Sequence, residues 1–330
     1  MSPTLLILAA GLGSRYGGLK QMEAVGPGGA TLMDYAVFDA VRAGFGEVVF
    51  VIRPEMEAAF ADQVLPRFRS HVPVRAVLQR LDVPPGYSVP AQRRKPWGTA
   101  HAVLAAAGAI AEPMVVVNAD DFYGRAAYEA LAGFLGTPAT GLPPAFALAG
   151  FRLSRTVSAA GPVNRAVCQV TAEGWLESVV EVLHITADRH GGFSGEERGR
   201  TRRYAGTELV SMNMWGFTPT VFDQLREAFR AFLGGATRPS GEQPEGRGTA
   251  GPGQPEGRGT AGRGPHDFEK REFLIPTVVQ ELIRAGKARV RVLPTDSPWT
   301  GITHPEDRPL VVAAIRQMVE GGEYPERLWA

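Results

Sequence analysis

Short apolar runs separated by amphipathic stretches constrain the first 150 residues to one kind of architecture. Leu5–Ala10, Glu47–Ile52, Val74–Gln79 and Met114–Asn118 each read as a buried strand. Leu32–Ala43, Glu55–Phe68 and Thr99–Ala111, which lie between them, read as helices. In the first of these Tyr35, Phe38 and Val41 fall at helical spacing, and Gly44 is a stop. Strands alternating with helices imply a mostly parallel sheet covered on both faces. Ligands of such sheets sit beyond the C-terminal strand ends. Gly11–Lys20, Gln79 and Asn118–Asp121 all fall at such ends and are expected to converge.

Later segments change character. Ala145–Phe151, Val167–Thr171, Leu176–Leu183 and Glu208–Phe217 read as strands, some of them antiparallel. Thr220–Leu233, Leu274–Ala285 and Pro305–Val319 read as helices. Between these, residues 234–264 hold a tandem duplication, QPEGRGTAG at Gln243–Gly251 and again at Gln254–Gly262. With nothing apolar to bury, this insert is expected to be a disordered, Gly/Pro-rich surface loop.

Bulk properties exclude several classes. A hydrophobic content of 44% and a charged content of 21% suit a soluble globular protein. A formal net charge of +1 argues against nucleic-acid binding, which leans on a basic excess. The lone cysteine, Cys168, cannot form an internal disulfide and reads as a small buried apolar residue. No stretch reaches the ~18 apolar residues of a membrane helix. Leu5–Ala10 is too short for a signal-peptide core and has no basic region before it. A cytoplasmic protein without membrane contact is expected; a homo-oligomer is compatible with the sequence.

The turn after the first strand carries the chemistry. Gly11-Leu12-Gly13-Ser14-Arg15-Tyr16-Gly17 departs from a dinucleotide fingerprint, because Tyr16 stands where the third glycine belongs. Arg53, not an acidic residue, follows the second strand, which further disfavours a NAD(P) enzyme. Nor is it a Walker A loop, since Lys20 is followed by Gln21. What remains is a glycine-rich loop with Arg15 and Lys20, able to wrap phosphates with backbone N–H groups and two cations. This suits a nucleoside triphosphate.

LAAGLGSR with its following lysine resembles the signature loop of the sugar-1-phosphate nucleotidyltransferase family, the NDP-sugar pyrophosphorylase-like enzymes. Trp97-Gly98-Thr99-Ala100, Asn118-Ala119-Asp120-Asp121 and Trp299–Asp307 (WTGITHPED) are similar to three later segments of that family, in the same order. The resemblance is strong over about residues 4–125 and weaker to the C-terminus, outside 234–264. It implies a three-layer α/β/α, Rossmann-like (GT-A-like) fold with a mixed, mostly parallel sheet. It implies one nucleotidyltransferase domain over 1–330. Residues 1–150 would form a nucleotide-binding half, and 151–233 with 265–330 a sugar-binding half and C-terminal helices.

The implied activity is Mg²⁺-dependent transfer of a nucleotidyl group from an NTP to a sugar 1-phosphate or similar phosphorylated metabolite, releasing pyrophosphate. Arg15 suits the leaving pyrophosphate as a fork, and Lys20 the attacked phosphate as a point charge. Asp120 suits Mg²⁺. The resemblance places Ala10, Gly11, Gly13, Ser14, Gln79, Gly98 and Thr99 against the nucleotide, with Gln79 on the base edge and Gly98 near base or ribose. It places Asp121, Glu181 and Asn213 against the acceptor. For Gln79, Glu181 and Asn213 a purely structural role fits the sequence equally. Thr99 also reads as the N-cap of its helix.

Two departures stand out. Val182 replaces a lysine that follows the glutamate in relatives. Gly301 stands where many relatives place a second metal-binding aspartate; either Asp296, Asp121 or Glu306 compensates, or the site uses one protein carboxylate. Of the basic clusters, Arg93-Arg94-Lys95 is expected to face an acidic substrate, and Arg198–Arg203 to lie in a loop without a role. Two other activities compete. One is transfer to a cofactor precursor or phosphorylated amino alcohol. The other, which Gly301 favours, is a regulator that binds nucleotide or sugar phosphate without turnover.

Overall fold

The computed structural model describes residues 2–11, 23–137, 141–158, 161–188, 191–234, 271–302 and 307–329. Gly13, Ser14, Arg15, Lys20, Glu306 and the duplicated insert lie outside the described residues.

The core is a sheet built on strands β1 (Thr4–Leu8), β2 (Glu47–Ile52), β3 (Val74–Leu78) and β4 (Met114–Asn118), all parallel, in the order β3-β2-β1-β4. The sheet does not stop there. Strand β11 (Leu209–Phe217) pairs antiparallel with β4, then β6 (Ala145–Arg152) with β11, and β12 (Arg289–Thr295) runs parallel to β6. Beside the first part of β11, strands β7 (Val163–Val170), β8 (Leu176–Ala187), β9 (Phe193–Glu197) and β10 (Arg200–Tyr204) extend the sheet as an antiparallel arm. Among the described residues, eleven strands thus join in one sheet.

Strand alternation sorts the core into two faces. Leu5, Ile7, Val48, Phe50, Val115 and Val117 pack on one side, against α1 (Leu32–Arg42), α2 (Glu57–Gln63) and α4 (Arg125–Gly136). Leu6, Val49, Val51, Met114 and Val116 pack on the other, against α3 (Thr99–Ala105), α5 (Val221–Gly234) and α6 (Ile275–Arg284). The expected three layers are therefore present. A third cluster seats α7 (Arg308–Glu320) on Leu32, Tyr35 and Phe122. Cys168 is buried, and burial pushes its thiol to about 12.

Several elements differ from expectation. The helix expected over Glu55–Phe68 is broken into α2 between two 3₁₀ turns, the second containing Pro66, which lacks a backbone donor. α3 ends at Ala105, where the chain tightens into i→i+3 turns through Ala109. Arg200–Tyr204 is strand β10 rather than loop, with Arg202 paired with Glu197 and Arg203 with Asp188. Arg93 does not face a substrate. It is buried, and its guanidinium donates to the carbonyls of Lys95, Pro96 and Arg271 and stacks 3.9 Å over Trp97. Helix α4, strands β9 and β12, and the two-residue strands β5 (Asp121–Phe122) and β13 (Thr300–Gly301) are additions.

Helix α1 carries two buried carboxylates with different fates. Asp34 closes a capping box with Thr31 and pairs with Arg67 at 2.6 Å. Asp39 accepts the Tyr324 hydroxyl at 2.6 Å, but among the described residues its Oδ1 has no hydrogen-bond partner. Burial pushes its carboxyl to about 7, against that hydrogen bond and the Arg42 charge. The folded state therefore holds this proton more firmly than the unfolded chain, and stability falls as pH rises from about 4 to about 7. At about 1.4 kcal/mol per pH unit, the loss is on the order of a few kcal/mol. Asp39→Asn keeps an acceptor for Tyr324 and removes the charge. Its melting temperature should match the wild type near pH 4 and exceed it near pH 8; parallel pH profiles would contradict this reading.

Candidate active site

Three parallel strand ends define the site's floor. Each ladder continues one residue past its strand. Ala9 donates to Val51 (2.9 Å), Ala119 to Leu8 (3.2 Å) and Gln79 to Ile52 (2.7 Å). Ala10 is buried, and the space above Gly11 is open among the described residues. Gly11, Gln79 and Asn118–Asp121 therefore lie along one edge of the sheet, beyond its parallel strand ends, with two strands between Gln79 and Asn118.

Past β4 the chain turns sharply at Ala119 and Asp120, and Asp121 opens β5. Asp120 is exposed. Asp121 is half-buried, and its Oδ2 accepts from Asn118 Nδ2 at 2.9 Å and faces the Tyr123 hydroxyl at 3.1 Å. That hydroxyl also accepts from the Asn118 N–H (3.1 Å) and lies 3.0 Å from the Met212 carbonyl. Its single proton can serve only one of the two oxygens. A protonated Asp121 resolves this by donating to Tyr123, which then donates to Met212. Burial, then the Asp120 charge, push Asp121 to about 7, in line with that arrangement. A cation at this strand end would reverse the shift.

Across the cleft, β11 changes partner from β7 to β4 through a bulge between Ser211 and Trp215. Asn213 sits in the bulge with φ +62°, a conformation asparagine tolerates. Its side chain donates to Asn118 Oδ1 (2.7 Å) and accepts from Trp215 Nε1 (3.1 Å). Asn213 thereby ties β11 to the end of β4. The structural role suggested by the sequence is present, and the residue also borders a cavity.

That cavity, about 590 Å³, is lined by Asn118, Asp121, Glu181 and Asn213 together with Arg165 and Gln280. Glu181 is exposed on β8 with no hydrogen-bond or ion-pair partner among the described residues. Val182, next to it, points into the core, where a lysine charge would be costly. Arg165 stands between this cavity and a second, of about 640 Å³, that reaches Gly301 and Asp307. Its guanidinium donates to the carbonyls of Thr156 and Asn164 and lies 4.9 Å over the Trp299 ring. Burial lowers its pKa to about 10, against the nearby Asp121 and Asp307 charges. Arg165, Tyr123 and Gln280 were not singled out by sequence. Only Tyr123, two residues past Asp121, carried a usable signal.

Of the other residues expected at the site, Gln79 is buried; its Nε2 donates to the Gly98 carbonyl (3.0 Å) and lies 3.3 Å from His101 Nδ1. Burial lowers His101 to about 4, so it is neutral and accepts. Gly98, not Thr99, is the cap residue of α3, with φ +114°. Thr99 is the first helical residue, and its hydroxyl accepts from the Ile275 N–H at 3.1 Å. Asp296 is on the surface, paired with Arg152 at 2.9 Å, and does not line the cavity with Asp121.

The donors at the end of β4 are all oxygen, which suits a hard cation such as Mg²⁺. Among the described residues no three or more His, Cys, Asp or Glu side chains gather as a metal site. A cation on Asp120 would complete its shell with water and phosphate oxygens. Nor, among the described residues, is any helix long and apolar enough to cross a membrane.

Residues 5–139 match the family model of the MobA-like NTP transferase domain. No curated protein matches the chain. The solved inositol-1-phosphate CTP transferase from T. maritima is similar over 97% of each chain, with a TM-score of 0.59 and 14% identity. UDP-glucose pyrophosphorylase, solved with UDP-glucose, is similar over 96% of this chain and 99% of its own, with a TM-score of 0.55 and 14% identity. At these identities the likeness is one of fold.

Proposed function

We propose that this chain, which carries a MobA-like NTP transferase domain over residues 5–139, joins a nucleoside triphosphate to a sugar 1-phosphate or a similarly phosphorylated polyol. A phosphate oxygen of the acceptor attacks the α-phosphorus. The bond from that phosphorus to the α–β bridging oxygen breaks, and pyrophosphate leaves with the electron pair. The acceptor's second pKa is near 6, so at neutral pH its oxygen is already a nucleophile and no general base is needed. The protein's task is to offset repulsion between the two anions and hold them in line.

Arg15 and Lys20, in the glycine-rich stretch of sequence that follows β1, are assigned to the leaving pyrophosphate and the attacked phosphate. Asp120 is assigned to a divalent cation, which supplies charge neutralisation and orients phosphate oxygens when bound. Glu181 and Asn213 are assigned to acceptor hydroxyls. The observation that carries this reading is the cavity of about 590 Å³, into which Asn118, Asp121, Arg165, Glu181 and Asn213 bring polar side chains, at the end of a strand inside the matched segment. One of the two similar structures is an inositol-1-phosphate CTP transferase and the other holds UDP-glucose, which makes CTP and UTP the first triphosphates to try.

The test is pyrophosphate release with each of the common triphosphates against glucose 1-phosphate, other sugar 1-phosphates and inositol 1-phosphate. Release that needs both partners is expected; silence across the panel would count against the reading. Lys20→Ala should lower kcat by on the order of 10², because it removes charge compensation at the transferring phosphorus. A near-wild-type kcat in that variant would remove Lys20 from the mechanism.

A further inference from the structure

Gly301 lies directly opposite Asp121 in the short antiparallel ladder between β13 and β5. Its backbone does not demand a glycine, because its φ lies outside the left-handed region. Space does. A Cβ at 301 would stand 2.4 Å from Asp121 Oδ1 and 3.0 Å from the Trp299 ring. Real side chains do not show the first of these distances, so Asp121, whose side-chain tip makes the contact and whose other oxygen is held by Asn118 and Tyr123, would have to swing aside to admit one. The Asp121 carboxylate therefore fills the room that a side chain at 301 would occupy. Both of its hydrogen bonds fall on Oδ2, which leaves Oδ1 toward Gly301, between the two cavities. Asp120, exposed, is its immediate neighbour.

We propose that Asp121 supplies the second carboxylate of a divalent-cation site shared with Asp120, and that residue 301 is a glycine because this carboxylate takes its place. The choice of a divalent cation rests on the nucleotidyl-transfer reading. Position 301 then acts as a positioning residue, setting where Asp121 can stand. Asn118 and Tyr123 hold Oδ2, so the carboxylate keeps a fixed direction while Oδ1 serves the ion. A hard cation with two carboxylates fills the rest of its shell with water and phosphate oxygens.

The test is Mn²⁺ binding to the purified full chain without substrates, followed by electron paramagnetic resonance, with Mg²⁺ as competitor. Saturable binding that Mg²⁺ displaces is expected. Asp121→Asn, nearly isosteric, should weaken it roughly tenfold or more without lowering the melting temperature. Gly301→Asp alone should gain nothing, because its side chain meets Asp121. The double variant Asp121→Gly/Gly301→Asp should recover affinity to within about threefold of wild type. Wild-type affinity in Asp121→Asn, or no saturable Mn²⁺ binding by the wild type, overturns the proposal. A double variant no better than Asp121→Asn overturns the role of Gly301. If the protein releases no pyrophosphate with any substrate pair while Asp121 still sets Mn²⁺ affinity, the transfer reading fails and this one stands. If the protein turns over while its Mn²⁺ affinity is indifferent to Asp121, the cation site fails and the transfer reading stands.

Discussion

Asp120→Ala should lower kcat by on the order of 10² or more while leaving the fold intact. The residue sits one turn beyond the central strand β4, and the Ala119 N–H holds that turn to Leu8 at 3.2 Å. β4 is flanked by β1 and β11, so the backbone that presents the carboxylate is fixed on both sides. Its side chain is exposed and packs no core, so truncation should change stability by no more than about 0.5 kcal/mol. The lost charge, by contrast, is needed where triphosphate and acceptor repel most. Steady-state kinetics at saturating Mg²⁺, beside a thermal melt, separates the two effects. A kcat within about threefold of wild type would dissociate Asp120 from the reaction.

Gly98→Ala should destabilise the protein by about 3 kcal/mol or more. At φ +114° an L-residue is strained, at a cost of roughly 1–3 kcal/mol. The added Cβ would also stand 2.6 Å from the Phe273 carbonyl oxygen and 2.9 Å from its nitrogen. Both are backbone atoms and cannot rotate aside. Relief requires parting the seam where Ala100 donates to Phe273 (3.0 Å) and Ile275 to the Thr99 hydroxyl (3.1 Å), each bond worth about 1 kcal/mol. That seam seats the start of α6, whose Gln280 lines the acceptor cavity. The variant should therefore show a lower denaturant midpoint and, where it still folds, a raised acceptor KM. An unchanged midpoint would mean that Phe273 does not approach Gly98 as described.

The same glycine shows what the sequence could and could not disclose. Its position at a helix start was legible, and the resemblance tied it to the nucleotide. The contact that requires a glycine comes from residue 273, far along the chain, which no local pattern announces. The parallel core was legible because β1, β2 and β4 are buried on both faces and read as unbroken apolar runs. β12 was missed although Val290 and Val292 alternate, because its run is interrupted by arginines and ends at Pro294. β10 was missed because RTRRY is an exposed edge whose Arg202 and Arg203 pair with Glu197 and Asp188 instead of entering a core. Asp121 and Asn213, singled out by motif, line one cavity. Arg165 was not singled out, because its surroundings come from residues 156, 299 and 307 at once. Arg93 misled for the same reason: a basic run looks solvated until its carbonyl partners are known.

The central claim is that a nucleotidyl group moves from a triphosphate to a phosphorylated acceptor at the end of β4. Triphosphate labelled at the α-phosphate, incubated with the protein, Mg²⁺ and an acceptor, tests it most directly. The label should pass into a product resistant to alkaline phosphatase, in step with pyrophosphate and only when the acceptor is present. Label that stays in the triphosphate, or emerges only as the monophosphate, with every sugar or polyol phosphate offered would contradict it.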